Sequence, residues 1–166
     1  GMRFGAHVNA STSFDETIYF LQIPTDRQDI IDTAFQILED WAHDLSFEDD
    51  EIEKERGVVI EEWRLGLGAG SRVRDRQLPV LFAGSRYTDR LPIGKVDVLE
   101  TFPLDAARRF YRDWYRPELM GVIVVGDIDT DTVKAKIEQH FNRIPRSEDG
   151  RERTYTTLPG HEGTQF

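Results

Sequence analysis

The sequence has 166 residues, 39% of them hydrophobic, and a formal net charge of −10 at pH 7. This length is typical of a single domain with a sizeable core, and the acidic balance argues against nucleic acids and anionic membranes as partners. No apolar run approaches the roughly 18–20 residues that a membrane-spanning helix needs. The absence of cysteine excludes disulfides and thiolate metal sites.

The first third of the chain predicts a β-hairpin followed by a long helix. The segment Gly5–Thr12 reads as extended, and β-branched and aromatic residues predict a strand at Thr17–Ile23, with Ser13–Glu16 as the turn. Apolar residues then recur with helical spacing over residues 30–45, which predicts an amphipathic helix of about five turns.

The second half predicts four helices and one strand. Helical patterns cover Ser71–Phe82, Val96–Thr101, Pro103–Tyr115 and Thr130–Phe141, and the aromatic residues of the third pattern are predicted to be core. The apolar run Leu119–Val125 predicts a buried strand.

The order of these elements predicts the fold class. Strands and helices do not alternate regularly, so we expect an α+β fold with an antiparallel sheet and helices packed on it. Residues 1–145 are assigned to one domain. The polar residues 146–166, which include Gly150, Pro159 and Gly160, are assigned to a linker or to the start of a further segment.

The stretch Glu51–Arg64, with the sequence EIEKERGVVIEEWR, predicts the helix around which the chain is organised. Ile52, Glu55, Val59 and Glu62 recur with a spacing that places them on one face of this helix. The two carboxylates are two turns apart, roughly 10 Å along the axis. A carboxylate on a buried stripe is costly unless it is paired, hydrogen-bonded or bound to a metal.

Spacing alone leaves two interpretations of Glu55 and Glu62 open. In the first, both edge the apolar stripe and pair with an arginine or lysine from a neighbouring element, which is the usual way to accommodate such groups. In the second, one of them is a metal ligand and the other supports it.

Three further features of the sequence lead to local predictions. Ser46 and Asp49 resemble a capping box at the start of the central helix. Gly57 lies inside the helix at a cost of about 1 kcal/mol relative to alanine, which close packing of another backbone would explain. His43 is interpreted as a residue near the end of its helix, where a histidine suits the helix dipole. His140 is interpreted as a packing or surface residue, and His161 as solvated.

Four stretches together resemble the insulinase/pitrilysin family of zinc metallopeptidases, which includes the mitochondrial processing peptidases. They are GAHVNASTSFDETIYF (5–20), ERGVVIEE (55–62), LPIG (91–94) and FYRDWYRPELMGVIVVGDID (110–129). No single stretch is specific. However, all four follow in the family order and cover the chain to about residue 145.

The resemblance implies roles for both glutamates of the central helix. The later glutamate of the family pair is the third zinc ligand, which corresponds to Glu62, and the earlier one is a supporting acidic residue near the zinc, which corresponds to Glu55. The other two ligands are the histidines of an H-x-x-E-H motif on an earlier helix, and the glutamate of that motif is the general base.

The sequence departs from the family pattern because none of its histidines lies in such a motif. The motif is expected upstream of Gly1, so the chain is expected to be a fragment that is inactive by itself and binds zinc weakly if at all. The alternative is a family member that has lost the motif.

The resemblance also implies a substrate-binding edge. In the family, the strand around N-A-x-T lies beside the zinc and pairs with the peptide backbone, and Asn9 and Ala10 occupy that place here. Without the family, this segment would be interpreted as an ordinary edge strand.

The implied function is that of a zinc metalloendopeptidase that hydrolyses peptides or unfolded segments inside a chamber of two or more similar domains. The expected partners are therefore a peptide substrate and further similar domains or a homologous subunit. The alternative function is that of a non-catalytic member that binds substrate or serves as a scaffold. The sequence does not decide the cellular compartment of the protein, but it favours the bacterial periplasm or the cytoplasm over a membrane.

Overall fold

The computed structural model describes residues 7–148 and 150–164. Within them the chain forms a two-stranded antiparallel sheet and six α-helices, which confirms the predicted α+β class. None of the described helices is long and apolar enough to cross a membrane. The elements are β1 (Val8–Thr12), β2 (Thr17–Leu21), α1 (Gln28–His43), α2 (Asp49–Leu65), α3 (Ala69–Leu81), α4 (Val96–Thr101), α5 (Leu104–Trp114) and α6 (Thr130–Phe141).

The chain divides into two compact units. The first contains β1, β2, α1, α6 and nearly all of α5, and the second contains α2, α3, α4, the hairpin turn and the residues after Arg151. In the second unit Arg153 donates a hydrogen bond of 3.0 Å to the carbonyl oxygen of Asp15. The proposed domain boundary at residue 145 stays a prediction.

The hairpin forms where the sequence predicts it. β1 and β2 pair in an antiparallel register that places Val8 opposite Leu21 and Thr12 opposite Thr17. Positions 5 and 6 of the predicted first strand lie outside the described residues.

The core of the first unit is built on α1. Ile31, Ala34, Phe35 and Ala42 are buried and recur at the spacing of one helical face. Helix α6 packs on α1, and Asp129 caps its N-terminus by accepting a hydrogen bond of 2.8 Å from the backbone N–H of Thr132.

Aromatic side chains join α1, α5 and β2. The ring of Tyr19 lies 5.4 Å from that of Trp41, and the ring of Tyr111 lies 4.5 Å from that of Tyr115. Tyr111 also donates a hydrogen bond of 2.8 Å to the carbonyl oxygen of Trp41, and burial raises the pKa of Tyr111 to about 12. The prediction that the aromatic residues of α5 are core is wrong for Phe110, which is 59% exposed.

A buried ionic cluster fastens α1 to α6. The carboxylate of Glu39, 5% exposed, lies 2.6 Å from Nδ1 of the buried His140 and 2.6 Å from Nε of Arg143. The ring of His140 stacks on Phe35 with a centroid separation of 5.8 Å. The hydrogen bond from Arg143 lowers the pKa of Glu39, burial raises it in part, and the bond with His140 lowers it further.

The second unit is held mainly by aromatic and polar contacts. Among the residues that the structure describes, no apolar side chain of this unit is buried. Phe14, in the hairpin turn, packs its ring 5.4 Å from that of Phe82 and 4.8 Å from that of Tyr87. Tyr87 donates a hydrogen bond of 2.6 Å to the carboxylate of Asp15.

The prediction of a buried strand at Leu119–Val125 is wrong. Residues 117–119 form a 3-10 turn, and residues 120–125 join no ladder within the described part of the chain. Ile123 is 87% exposed and Val125 is 92% exposed. An apolar run indicates a strand only where a neighbouring strand supplies hydrogen bonds, and the two-stranded sheet offers none to this segment.

We expect the free energy of unfolding of the 166-residue chain to decrease as the pH is lowered through the titration of Glu39. The folded-state pKa of Glu39 is depressed below its ordinary value of 4.5. The cluster therefore contributes stability that is present above the unfolded pKa and is lost as the pH falls through the folded pKa. Urea denaturation from pH 7 to pH 3 should show a weaker pH dependence for Glu39→Gln than for the parent. An equal dependence would contradict this prediction.

The exposed segment also leads to a stability prediction. We expect Ile123→Lys to change the free energy of unfolding by less than about 0.5 kcal/mol, because the side chain already lies in water. The matched control Ile31→Lys buries a charge at a position that is 4% exposed and should cost at least about 2 kcal/mol. Thermal denaturation of both variants measures the difference, and a large loss for Ile123→Lys would show that the segment is packed.

Candidate functional site

Helix α2 carries both candidate zinc-site glutamates. Its first turn contains Asp49, Asp50 and Glu51 and its last turn contains Arg64, charges that suit the helix dipole at each end. The predicted capping box is wrong, because the N-cap is Glu48 and makes no side-chain capping bond. The reason lies in Phe47, whose φ of 52° prevents the helix from starting at Ser46.

Glu55 and Glu62 lie on one face of α2, and both are exposed. Ile52 and Val59, which share this face, are only half-buried, so the stripe is not a core stripe as predicted. The carboxylates therefore keep their hydration and do not need a partner for stability.

The ion-pair interpretation of Glu55 and Glu62 is wrong for the structure as described. Neither side chain has a hydrogen-bond or ion-pair partner within residues 7–148 and 150–164. The other three glutamates of α2 are each paired with a cation three residues later. These pairs are Glu51–Lys54 at 3.3 Å, Glu53–Arg56 at 3.0 Å and Glu61–Arg64 at 2.6 Å.

Gly57 does not mark a close approach of another backbone in the structure. It is exposed, and a Cβ atom at this position would meet no heavy atom within 4 Å. The expected packing explanation is wrong for the described part of the chain.

Strand β1 has one hydrogen-bonded edge and one open edge. The N–H of Gln22 donates to the carbonyl oxygen of His7 at 2.7 Å, and the register continues that pattern with Asn9 opposite Phe20. Ladder bonds in an antiparallel pair alternate along each strand, so the odd-numbered residues of β1 bond to β2. The backbone groups of Ala10 point to the other edge, where no further strand pairs among the described residues.

Asn9 and Ala10 are both exposed and are coupled by a local hydrogen bond. The backbone N–H of Ala10 donates to Oδ1 of Asn9 at 2.8 Å. The carbonyl oxygen of Ala10 points to the same open edge, and its methyl group adds little bulk there. An extended peptide could reach this edge through main-chain hydrogen bonds.

The histidines do not assemble into a metal site. His140 is buried against Glu39, which agrees with its interpretation as a packing residue. His43 lies in the last turn of α1, the helix C-terminal position that was predicted for it. No group of three His, Cys, Asp or Glu side chains within residues 7–148 and 150–164 is placed to hold a metal ion.

Comparison with known proteins supports the family resemblance. The family model described as Insulinase (Peptidase family M16) matches residues 2–65, and the model described as Peptidase M16 inactive domain matches residues 101–165. The chain belongs to the insulinase family, peptidase family M16. The first match contains β1 and the whole of α2.

Family members similar to this chain are described as zinc proteases. The Escherichia coli protein named "Probable zinc protease PqqL" is 38% identical over 157 residues, which cover 95% of this chain and 17% of that protein. The Arabidopsis thaliana protein named "Zinc protease PQQL-like" is 36% identical over 167 residues, which cover 100% of this chain and 18% of that protein.

The fold agrees with a solved structure of the family. The crystal structure of the periplasmic protease PqqL from Escherichia coli matches with a TM-score of 0.87 at 37% sequence identity, over 96% of this chain and 17% of that one. The chain thus spans less than a fifth of the length of these relatives.

The donor chemistry of α2 fits one part of a zinc site. Zinc accepts carboxylate oxygens together with histidine nitrogens, and Glu62 is an exposed carboxylate that no described cation neutralises. Glu55, on the same face, fits a supporting role. A complete ligand set is not present among the described residues.

We expect Glu62→Gln to change the free energy of unfolding of the 166-residue chain by less than about 1 kcal/mol, because the carboxylate is exposed and no described residue pairs with it. The matched control is Glu39→Gln, which removes a charge from a buried hydrogen-bonded cluster and should cost about 2 kcal/mol. Urea denaturation at pH 7 measures both. If Glu62→Gln lowered the free energy of unfolding as much as Glu39→Gln does, the result would support the ion-pair interpretation of Glu62.

Proposed function

We propose that this chain is part of a zinc-dependent metalloendopeptidase, in which Glu62 is a zinc ligand and Glu55 supports the site. The observation that carries the proposal is the pattern of pairing on α2. Three of its glutamates are neutralised by neighbouring cations, whereas the two at the family spacing are exposed and have no ion-pair partner in the part of the chain that the structure describes. Membership of a family whose named relatives are zinc proteases supports the same function.

The residues of this chain would hold the metal and the substrate. A zinc ion with an open coordination position supplies an acidified water as nucleophile. Glu62 would contribute negative charge and one coordinating carboxylate, and Glu55 would add negative charge two turns away on the same helix face. The histidine ligands and the general base would come from outside this chain.

The substrate is proposed to bind by strand addition to β1. The open edge at Ala10 offers main-chain groups, and main-chain pairing tolerates varied side chains, as an enzyme acting on peptides or unfolded segments requires. Further domains of the same type are proposed as partners, because the relatives are several times longer than this chain. We propose the periplasm as the compartment of the full-length protein, because the Escherichia coli relative is described as periplasmic.

The full-length protein that contains this sequence tests the metal assignment. Glu62→Gln should abolish stoichiometric zinc and peptide hydrolysis, because it removes a charged ligand. The matched control Glu61→Gln lies one residue away on the same helix and should retain both. Metal analysis after dialysis and a fluorogenic peptide assay provide the readouts.

Two results would contradict the proposal. Full zinc content and activity in Glu62→Gln would exclude Glu62 as a ligand. A full-length protein that binds no zinc would favour the alternative of a non-catalytic substrate-binding or scaffold member. The 166-residue chain alone is expected to bind zinc weakly and to hydrolyse no peptide.

The strand-addition proposal has its own test in the full-length protein. Ala10→Pro removes an N–H at the open edge without touching the ladder to β2, and should raise KM while zinc content stays unchanged. Ala10→Ser keeps the backbone donor and is the control. Equal KM values for the two variants would show that the substrate does not use this edge.

A further inference from the structure

Arg56 is the least exposed cation of α2. Its side chain is 11% exposed, whereas that of Arg64, two turns later, is 67% exposed. Both arginines pair with a glutamate three residues earlier. The pairing with glutamate therefore does not explain why the side chain of Arg56 is so much less exposed than that of Arg64.

The additional partners of Arg56 belong to the end of α4. Its guanidinium donates hydrogen bonds to the carbonyl oxygen of Leu99 and, at 2.8 Å, to that of Phe102. It also lies 4.0 Å from the centroid of the Phe102 ring. The last carbonyl groups of a helix lack partners within that helix and interact favourably with a cation. One planar group thus binds two carbonyls, one ring and the carboxylate of Glu53.

These contacts restrict how α2 can turn about its axis. Two hydrogen bonds and a ring contact at fixed directions define the orientation of the guanidinium plane. Arg56 follows Glu55 directly and is separated from it by about 100° around the helix. When the Arg56 side is fixed on α4, the face that carries Glu55 and Glu62 is fixed on the exposed side.

We propose that Arg56 is a positioning residue that sets the rotation of α2 against α4 and thereby the direction in which Glu55 and Glu62 project. The consequence for zinc rests on the function proposed above, whereas the rotation itself does not. Lysine would be a poor replacement, because a single ammonium group cannot combine two directed bonds with planar stacking.

The rotation can be measured in the 166-residue chain without any metal. The sequence has no cysteine, so Glu62→Cys and Asp97→Cys introduce a unique pair of spin-label sites, one on α2 and one on α4. We expect Arg56→Met to broaden the distribution of label-to-label distances measured by pulsed electron paramagnetic resonance. The matched control Arg64→Met should leave it unchanged, since within the described residues the Arg64 side chain hydrogen-bonds only to Glu61 of the same helix.

A milder variant guards against loss of folding in Arg56→Met. Phe102→Leu removes the ring contact and keeps both carbonyl bonds, so it should broaden the distribution less than Arg56→Met does. The proposal would be overturned if the distribution of label-to-label distances were as narrow in both Phe102→Leu and Arg56→Met as it is in Arg64→Met.

The full-length protein tests the consequence for zinc, with the metal itself as the probe. Arg56→Met should weaken zinc binding by about tenfold or more, the usual effect of removing a group that orients a ligand. Arg56→Lys should recover part of this loss, and Arg64→Met should match the parent.

The outcomes separate this inference from the proposed function. If Glu62→Gln retains zinc, the proposed function is wrong, and the spin-label distances still decide the role of Arg56. If Glu62→Gln loses zinc while Arg56→Met binds it as tightly as Arg64→Met, the proposed function stands and the positioning role is overturned.

Discussion

Glu39 loses nearly all of its contact with water, and the packing of α1 on α6 depends on how that loss is compensated. Its carboxylate is bonded to both His140 and Arg143, and the histidine ring rests on Phe35 in the core. A carboxylate removed from water is tolerated only with such partners. This constraint distinguishes the structural glutamate of the first unit from Glu55 and Glu62, which stay hydrated and therefore remain free to bind something else.

The sequence predicts those features that arise from local physics. The hairpin and the helices follow from turn residues and periodicity. The shared face of Glu55 and Glu62 follows from their seven-residue spacing, which returns to the same side of a helix. Partners far apart in sequence were not predicted. Neither the bond between Glu39 and His140 nor that between Arg56 and the end of α4 leaves a local signal. The misassigned strand at residues 119–125 has the same cause, since strand formation depends on a neighbour.

The two units hold their helices in different ways. The buried apolar residues among those described all lie in the first unit: Ile31, Ala34, Phe35, Ala42 and Ile144. The second unit exposes large side chains such as Leu65, at 82%, and Leu81, at 67%. Apolar burial is non-directional, so a unit with little of it must orient its helices through directed bonds and ring contacts. We therefore expect the orientation of α2 to depend on directed contacts such as those of Arg56 with the end of α4.

The hydrogen bond from the Ala10 N–H to the side chain of Asn9 has a consequence for selectivity at the strand edge. An open edge with unsatisfied donors attracts any extended chain, including another copy of the same protein. Here the asparagine amide occupies one of those donors in the way a passing peptide would. Under the strand addition proposed above, an arriving chain would exchange one bond for another and gain little from that first contact. In that case only a chain that engages several positions in succession would be retained, and the edge would select for the length of the extended segment.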